Sequence, residues 1–181
     1  MAAPVNLMRN LFLLRHAKSD WDDTALDDHD RPLSSRGRRN AGRMAAHLAA
    51  AGIRPSLVLV SAALRTRSTY DLLAVSLEGV PASFEEGLYL AGKAELVARL
   101  HRLDDHLNSV MVIGHNPGLE RLAIALSGGH SAPDSISRLH DKFSTGTLAV
   151  LETDIGHWAE LEAGCCRLTS FVRPKDLDGP G

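Results

Sequence analysis

Three apolar runs in this chain end on basic side chains. "LFLL" (Leu11–Leu14) passes directly into Arg15 and His16. "SLVLVS" (Ser56–Ser61) is followed within one turn by Arg65 and Arg67, and "SVMVIGH" (Ser109–His115) closes on a histidine. Short apolar runs bounded by polar residues read as buried strands. Between them the periodicity becomes helical, with Ala41, Met44, Ala45 and Leu48 on one stripe, Ser34 or Ser35 placed to cap the start and Gly52 to end it. "LRTRSTYDLLAVSL" is a second helix, Leu96, Val97, Leu100 and Leu103 mark a third over about Lys93–His106, and Pro117 opens a fourth in "GLERLAIALSGG". A short strand falls near Ala82–Phe84, and "TGTLAVLET" and "HWAELEAGCCRLTSFV" read as paired strands. Strands separated by helices predict an α/β fold: a three-layer αβα sandwich, its central sheet mostly parallel and covered by helices on both faces. Such sheets bind ligands outside the carboxyl ends of their strands, which is where Arg15, His16, Arg65, Arg67 and His115 fall.

The 181 residues suit one domain, with a core from about residue 7 to 173 and a polar, frayed tail over 174–181. A net charge of −2 excludes a global basic field, so nucleic acid is not an expected partner. No apolar run approaches the length of a membrane span, and "MAAPVNLMRN" lacks the basic and apolar blocks of a signal peptide, so the expected location is cytoplasmic, away from membranes. Cys165 and Cys166 are adjacent, do not form a CxxC knuckle, and read as two reduced residues in a late strand.

If the three strands are neighbours, two arginines and two histidines converge. Guanidinium forks and helix N-termini suit a dianionic phosphoryl group. Taken singly, each residue has a plainer reading: a solvated helix charge for Arg65 or Arg67, a structural imidazole for either histidine. Recurrence at three strand ends carries the inference. His29, His47, His101, His106, His130, His140 and His157 read as surface or loop residues, and no zinc-ligand spacing occurs, so neither metal nor cofactor is expected.

"LLRHAKSDW", "SAALRTRST" and "VIGHNPG" together resemble the three signatures of the histidine phosphatase superfamily, which includes the phosphoglycerate mutases. "DDHDRPLSSRG" and "FSTGTLAVLE" are similar to its SixA-type phosphohistidine phosphatase branch. The resemblance runs from Leu11 to about Leu177 and implies a phosphoglycerate mutase-like fold. It implies that His16 is the nucleophile, phosphorylated on a ring nitrogen, and that Arg15, Arg65 and His115 complete the phosphate pocket. Ser19 falls where the family places a Ser or Thr against the phosphate, Asp22 lies near an Asn position of the mutases, and Ala17 replaces the Gly that most members carry. Larger relatives have a general acid three residues before an aromatic. Glu86 and Tyr89 match that spacing, with Glu85 the neighbouring alternative.

The chemistry is consistent with these roles. An imidazole attacks only when neutral at the attacking nitrogen; neighbouring cations favour that form, and a backbone carbonyl on the other N–H fixes the tautomer. The loose transition state of phosphoryl transfer needs positioning and positive charge, which Arg15, Arg65 and a protonated His115 would supply without metal. The expected activity is hydrolysis of a phosphohistidine on a signalling or phosphotransfer protein. The alternatives are a phosphatase of small metabolites or nucleotides and, less in keeping with a retained nucleophile, a phosphate-binding module. The chain from "EEGLYLAG" to Ser109 holds one helix and little to build a lid, and the loop from Asp20 to Pro32 carries six aspartates. An open, acid-rimmed pocket suits a protein substrate better than a free anionic metabolite.

Overall fold

The computed structural model describes residues 8–178. Its centre is a six-stranded sheet built from β1 (Arg9–Arg15), β2 (Leu57–Ser61), β3 (Ala82–Glu85), β4 (Ser109–Gly114), β5 (Leu148–Thr153) and β6 (Arg167–Val172), in the order β3-β2-β4-β1-β5-β6. Neighbours from β3 through β1 are parallel, while β5 runs antiparallel to both β1 and β6. Five of the six strands therefore run one way and β5 runs against them, a mostly parallel sheet in which β2, β4 and β1 are contiguous.

Helices cover both faces. α1 (Ser35–Ala50) and α2 (Leu64–Leu73) pack Met44, Leu48 and Leu73 against Phe12, Leu14, Val58, Val60, Met111 and Ile113. α3 (Lys93–His101), α4 (Gly118–Leu126) and α5 (Pro133–Asp141) cover the other face, where Leu96, Leu122 and Leu139 meet Leu11, Leu13, Val110 and Val112. Alternate residues of β1 and β4 thus feed opposite layers, which is why these strands are apolar throughout.

The predicted cap and stop of α1 are both present. The Ser34 hydroxyl accepts from the Gly37 amide at 3.0 Å, a cap worth about 1 kcal/mol. Gly52 follows at φ +65°, with Gly52 and Ile53 amides returning to the carbonyls of Ala49 and Leu48, the hydrogen-bond pattern of a Schellman stop.

Three features differ from expectation. α3 stops at His101 rather than His106. Beyond it Asp104 accepts from the His106 amide, closing a turn instead of continuing the helix. α5 has no counterpart in the reading of the sequence, because Ile136 and Leu139 alone give too little apolar period. The segment expected to fray from residue 174 forms a 3-10 turn over Pro174–Leu177, with Pro174 buried and Leu177 against the α1 layer. Residue 7 and residues 179–181 lie outside the described residues. Cys165 and Cys166 are free thiols, their sulfurs 3.6 Å apart, in the turn entering β6. Among the described residues, no helix is long and apolar enough to cross a membrane.

Candidate active site

Strand register assembles the site. Arg15 lies opposite Gly114 and Val60 opposite Ile113, so β1, β4 and β2 end level with one another. The His16 amide donates to the Gly114 carbonyl at 3.1 Å, and the two imidazoles come to 5.3 Å between centroids. Arg65, one residue into α2, reaches across both. These four side chains, with Lys18, Ser19, Trp21, Asp28, Leu90, Asn116 and Thr145, line a cavity of about 300 Å³.

The His16 ring has a defined tautomer. Nδ1 lies 2.7 Å from the Ala17 carbonyl, which can only accept, so Nδ1 carries the proton. Arg65 Nε–H donates to Nε2 at 3.3 Å, so Nε2 is the unprotonated nitrogen and its lone pair is engaged by Arg65. Burial pushes the His16 pKa down to about 4, with Arg65 and then Arg15 adding to the effect and the Ala17 carbonyl opposing it. Burial thus outweighs the neighbouring cations that the sequence brings to mind first. The ring is neutral at pH 7, as a nucleophile requires.

His115 is neutral too. Its Nε2–H donates to the Ser61 hydroxyl at 2.7 Å and its Nδ1 accepts from Arg65 Nη2 at 3.4 Å. Burial first, then His16 and Arg65, hold its pKa near 3. The protonated His115 entertained from sequence is not the form this geometry favours.

Two glycines set the walls by close approach. A Cβ on Gly37 would lie 2.1 Å from the Lys18 carbonyl, and one on Gly118 would lie 1.9 Å from the Ala91 carbonyl, so α1 and α4 seat directly on the loops after β1 and β3. Thr69 accepts from the Ala17 amide and donates to the Arg65 carbonyl, tying α2 to the residue after His16.

The remaining predicted residues divide. Ser19 is buried in the pocket wall. Arg15 donates Nη1 to the Phe143 carbonyl at 2.9 Å, while its buried Nε has no partner. Burial lowers its pKa from the usual arginine value. Arg67 lies outside, 5.6 Å from the Phe84 ring, and Asp22 is exposed away from the cavity. Glu86 is exposed, with its carboxylate 3.2 Å from His29 Nε2, and does not line the cavity. Glu85 forms a two-pronged pair with Arg99 at 2.8 Å, which holds its pKa below the usual carboxylate range.

The carboxylate that does line the pocket is Asp28, which motif spacing did not single out. It accepts from Tyr89 Oη at 2.6 Å and from Arg65 Nη2 at 3.0 Å, and its backbone carbonyl accepts from Arg65 Nη1. The Tyr89 hydrogen bond, then Arg65, keep Asp28 ionised below the ordinary aspartate range despite some burial. No local sequence signal separates Asp28 from the five other aspartates of its loop. Ser61 and Asn116 lie within quoted motifs but gain their roles only through the fold.

The comparisons with known proteins agree with this geometry. The model for "Histidine phosphatase superfamily (branch 1)" matches residues 11–89, which include His16 and Arg65. An uncharacterized Mycobacterium tuberculosis protein is 37% identical over 165 residues, covering 90% of this chain and 100% of its own. A Nakamurella multipartitia structure provisionally named phosphohistidine phosphatase SixA is 29% identical, with a TM-score of 0.77 and coverage of 92% of this chain and 96% of that one. The protein histidine phosphatase SixA complexed with tungstate shares the fold at 24% identity and a TM-score of 0.74, covering 93% and 99% of the two chains. So does a mycobacterial glucosyl-3-phosphoglycerate phosphatase, at 19% identity, a TM-score of 0.57 and coverage of 89% and 97%. The chain belongs to the histidine phosphatase superfamily, in its SixA-type branch.

Proposed function

We propose that the protein is a metal-independent phosphatase that hydrolyses phosphohistidine on a signalling or phosphotransfer protein through a phosphorylated His16. Phosphatase chemistry as such accords with the superfamily.

The substrate's phosphoryl oxygens draw the Arg65 N–H groups to themselves and free the His16 Nε2 lone pair, which attacks phosphorus as the substrate's P–N bond breaks. The bonding pair stays on the substrate imidazole, which takes a proton from solvent at the open pocket. Water then attacks the phosphorylated His16, releasing inorganic phosphate and a proton and restoring the neutral ring. Arg65 and Arg15 flank the point of attack and supply donors to the charge spread over the equatorial oxygens. A dianion drawing the Arg65 fork away from His115 Nδ1 would leave that nitrogen free to take a proton, so His115 becomes a donor when phosphate is present. Among the described residues, no three His, Cys, Asp or Glu side chains group so as to hold a metal. The positive charge this site offers is the Arg15 and Arg65 guanidinium groups and the Lys18 ammonium.

The observation that supports the phosphohistidine substrate is the state of the nearby acids. Asp28 is held ionised by Tyr89 and Arg65, Glu85 is paired with Arg99, and Glu86 faces His29 outside the cavity. Among the described residues, the one carboxyl that lines the cavity is the ionised Asp28, which has no proton to give a poor leaving group. A leaving imidazole, titrating near pH 6.5, has the least need of one. At the mouth, Trp21 and Leu90 are 62% and 53% exposed, apolar anchors of the kind found in macromolecular contacts.

The test is a side-by-side turnover assay on a phosphohistidine protein, phosphoserine peptides, and sugar and nucleotide phosphates. The expected result is a much higher kcat/KM for the phosphohistidine protein. Equal efficiency on a metabolite would favour the second reading, a small-molecule phosphatase, which the shared fold of the glucosyl-3-phosphoglycerate phosphatase keeps in view.

A further inference from the structure

Beside the phosphate pocket lies a second, larger concavity of about 540 Å³, which shares Arg15, Lys18 and Thr145 with it. Its cationic lining is Arg15, Lys18, Arg36, Lys142, Arg173 and Lys175, against one carboxylate, Asp141. Asp141 is already engaged by Arg173 at 3.3 Å, and Arg173 is also paired with Asp176. Among the described residues, Lys18, Arg36, Lys142 and Lys175 have no carboxylate in salt-bridge contact, and all four are exposed. A smaller hollow of about 180 Å³ continues the groove past Arg36 and Lys175 to Arg39 and Arg43, where Asp178 also lines it and is ion-paired with Arg43.

This concentration of positive charge stands out in a chain whose net charge is −2. Like charges held together without partners repel one another, so the cluster weakens the fold rather than stabilising it. An anionic occupant reverses that. The extent of the groove indicates which anion. Arg36 and Arg39 lie one turn apart on one face of α1, about 5 Å along its axis, with the Asp178-paired Arg43 a further turn on and Lys142 and Lys175 facing the same groove from other segments. Unpaired charges spread over a helical turn and two further segments match carboxylates spaced along a polypeptide surface, not the compact charge of a single phosphate.

We propose that this groove docks an acidic surface of the substrate protein, with Asp and Glu side chains flanking the phosphohistidine seated between α1, the segment after α5 and the turn at Pro174–Leu177. The assignment rests on the phosphohistidine-protein reading and adds to it which proteins the site selects.

Two phosphohistidine peptides of equal length test it, one with Glu and one with Gln flanking the modified residue, alongside free phosphohistidine. The Glu peptide should have a kcat/KM roughly tenfold or more above the Gln peptide at low salt, and the gap should close at high salt. In Lys142→Glu/Lys175→Glu the preference should disappear or invert, while the ratio of Gln peptide to free phosphohistidine stays as in wild type. Equal turnover of the two peptides by wild-type protein overturns the groove and leaves the substrate class standing. Turnover of neither, nor of free phosphohistidine, overturns both. Competitive inhibition by inorganic tripolyphosphate that weakens in Lys142→Glu/Lys175→Glu, with inhibition by the unphosphorylated Glu peptide unchanged in that variant, marks a small-polyanion site and also overturns the docking assignment.

Discussion

The loop from Asp20 to Pro32 and the groove beyond Arg15 border the same phosphate pocket and carry opposite charge, but they differ more in what that charge does. On the acidic side much of it serves local structure. Asp20 and Asp23 each accept from the backbone amide two residues on, forming Asx turns, and the Asp20 amide bonds the Pro32 carbonyl to close the loop at its base. Only Asp28 reaches into the cavity, where Tyr89 and Arg65 engage it. On the basic side the cations come from remote segments and have few acids to meet. Charge already engaged within the fold shapes a wall, whereas charge without a partner is available to a ligand. The repulsion expected of the acidic rim therefore applies to one side of the pocket, and the other side attracts.

Arg65 ties the acidic loop to the catalytic pocket, since it holds Asp28 and donates to His16 and His115. Arg65→Ala should lower kcat/KM on the order of 10³-fold, the scale of losing a donor to developing charge. A loss below about tenfold would mean that Arg15 alone carries the phosphate. Asp28→Asn should have a smaller effect of opposite sense on anion affinity. With its competitor neutralised, the Arg65 fork should bind inorganic phosphate or vanadate about 3- to 10-fold more tightly. Weaker binding in inhibition titrations would show instead that Asp28 positions the fork.

Acid sensitivity separates the buried pocket from its exposed rim. His16 and His115 stay neutral in the folded protein down to about pH 4 and pH 3, whereas the unfolded chain takes up their protons near pH 6.5. The stability that depends on these neutral rings is full above pH 6.5 and declines as the pH falls from there toward 4. Denaturant unfolding at pH 7 and pH 5 should show this decline, and it should be shallower in His16→Ala. An unchanged slope would place the proton uptake elsewhere. The smallest effect belongs to Glu86→Gln. With its carboxylate on His29 outside the cavity, turnover of a phosphohistidine protein should change less than about twofold. A large fall in kcat, with KM unchanged, would restore Glu86 as the acid.

The parts of the site legible in sequence are those carried by backbone periodicity. Leu11–Leu14 and Val110–Ile113 are buried by helices on both faces, so their apolar runs are continuous and their ends mark Arg15, His16 and His115. Asp28 was hidden because six aspartates in one loop look alike until a 3-10 turn over Asp28–Asp30 orients one of them. The basic groove was hidden because its residues lie far apart in the chain and a net charge of −2 averages them away. α5 is not legible in the sequence because its apolar stripe is only two residues deep, Ile136 and Leu139. In each case the missing information was tertiary, a matter of which side chains the fold turns toward one another.

The central claim is that His16 Nε2 becomes covalently phosphorylated, because the Ala17 carbonyl holds the proton on Nδ1 and Arg65 faces the opposite nitrogen. A rapid quench under non-acidic conditions with labelled phosphohistidine protein, followed by peptide mapping and phosphorus NMR of the trapped enzyme, tests it directly. The account predicts acid-labile phosphate on His16 at Nε2 in wild type and none in His16→Ala. Phosphate on Nδ1, on another residue, or in equal amount on both proteins would contradict it.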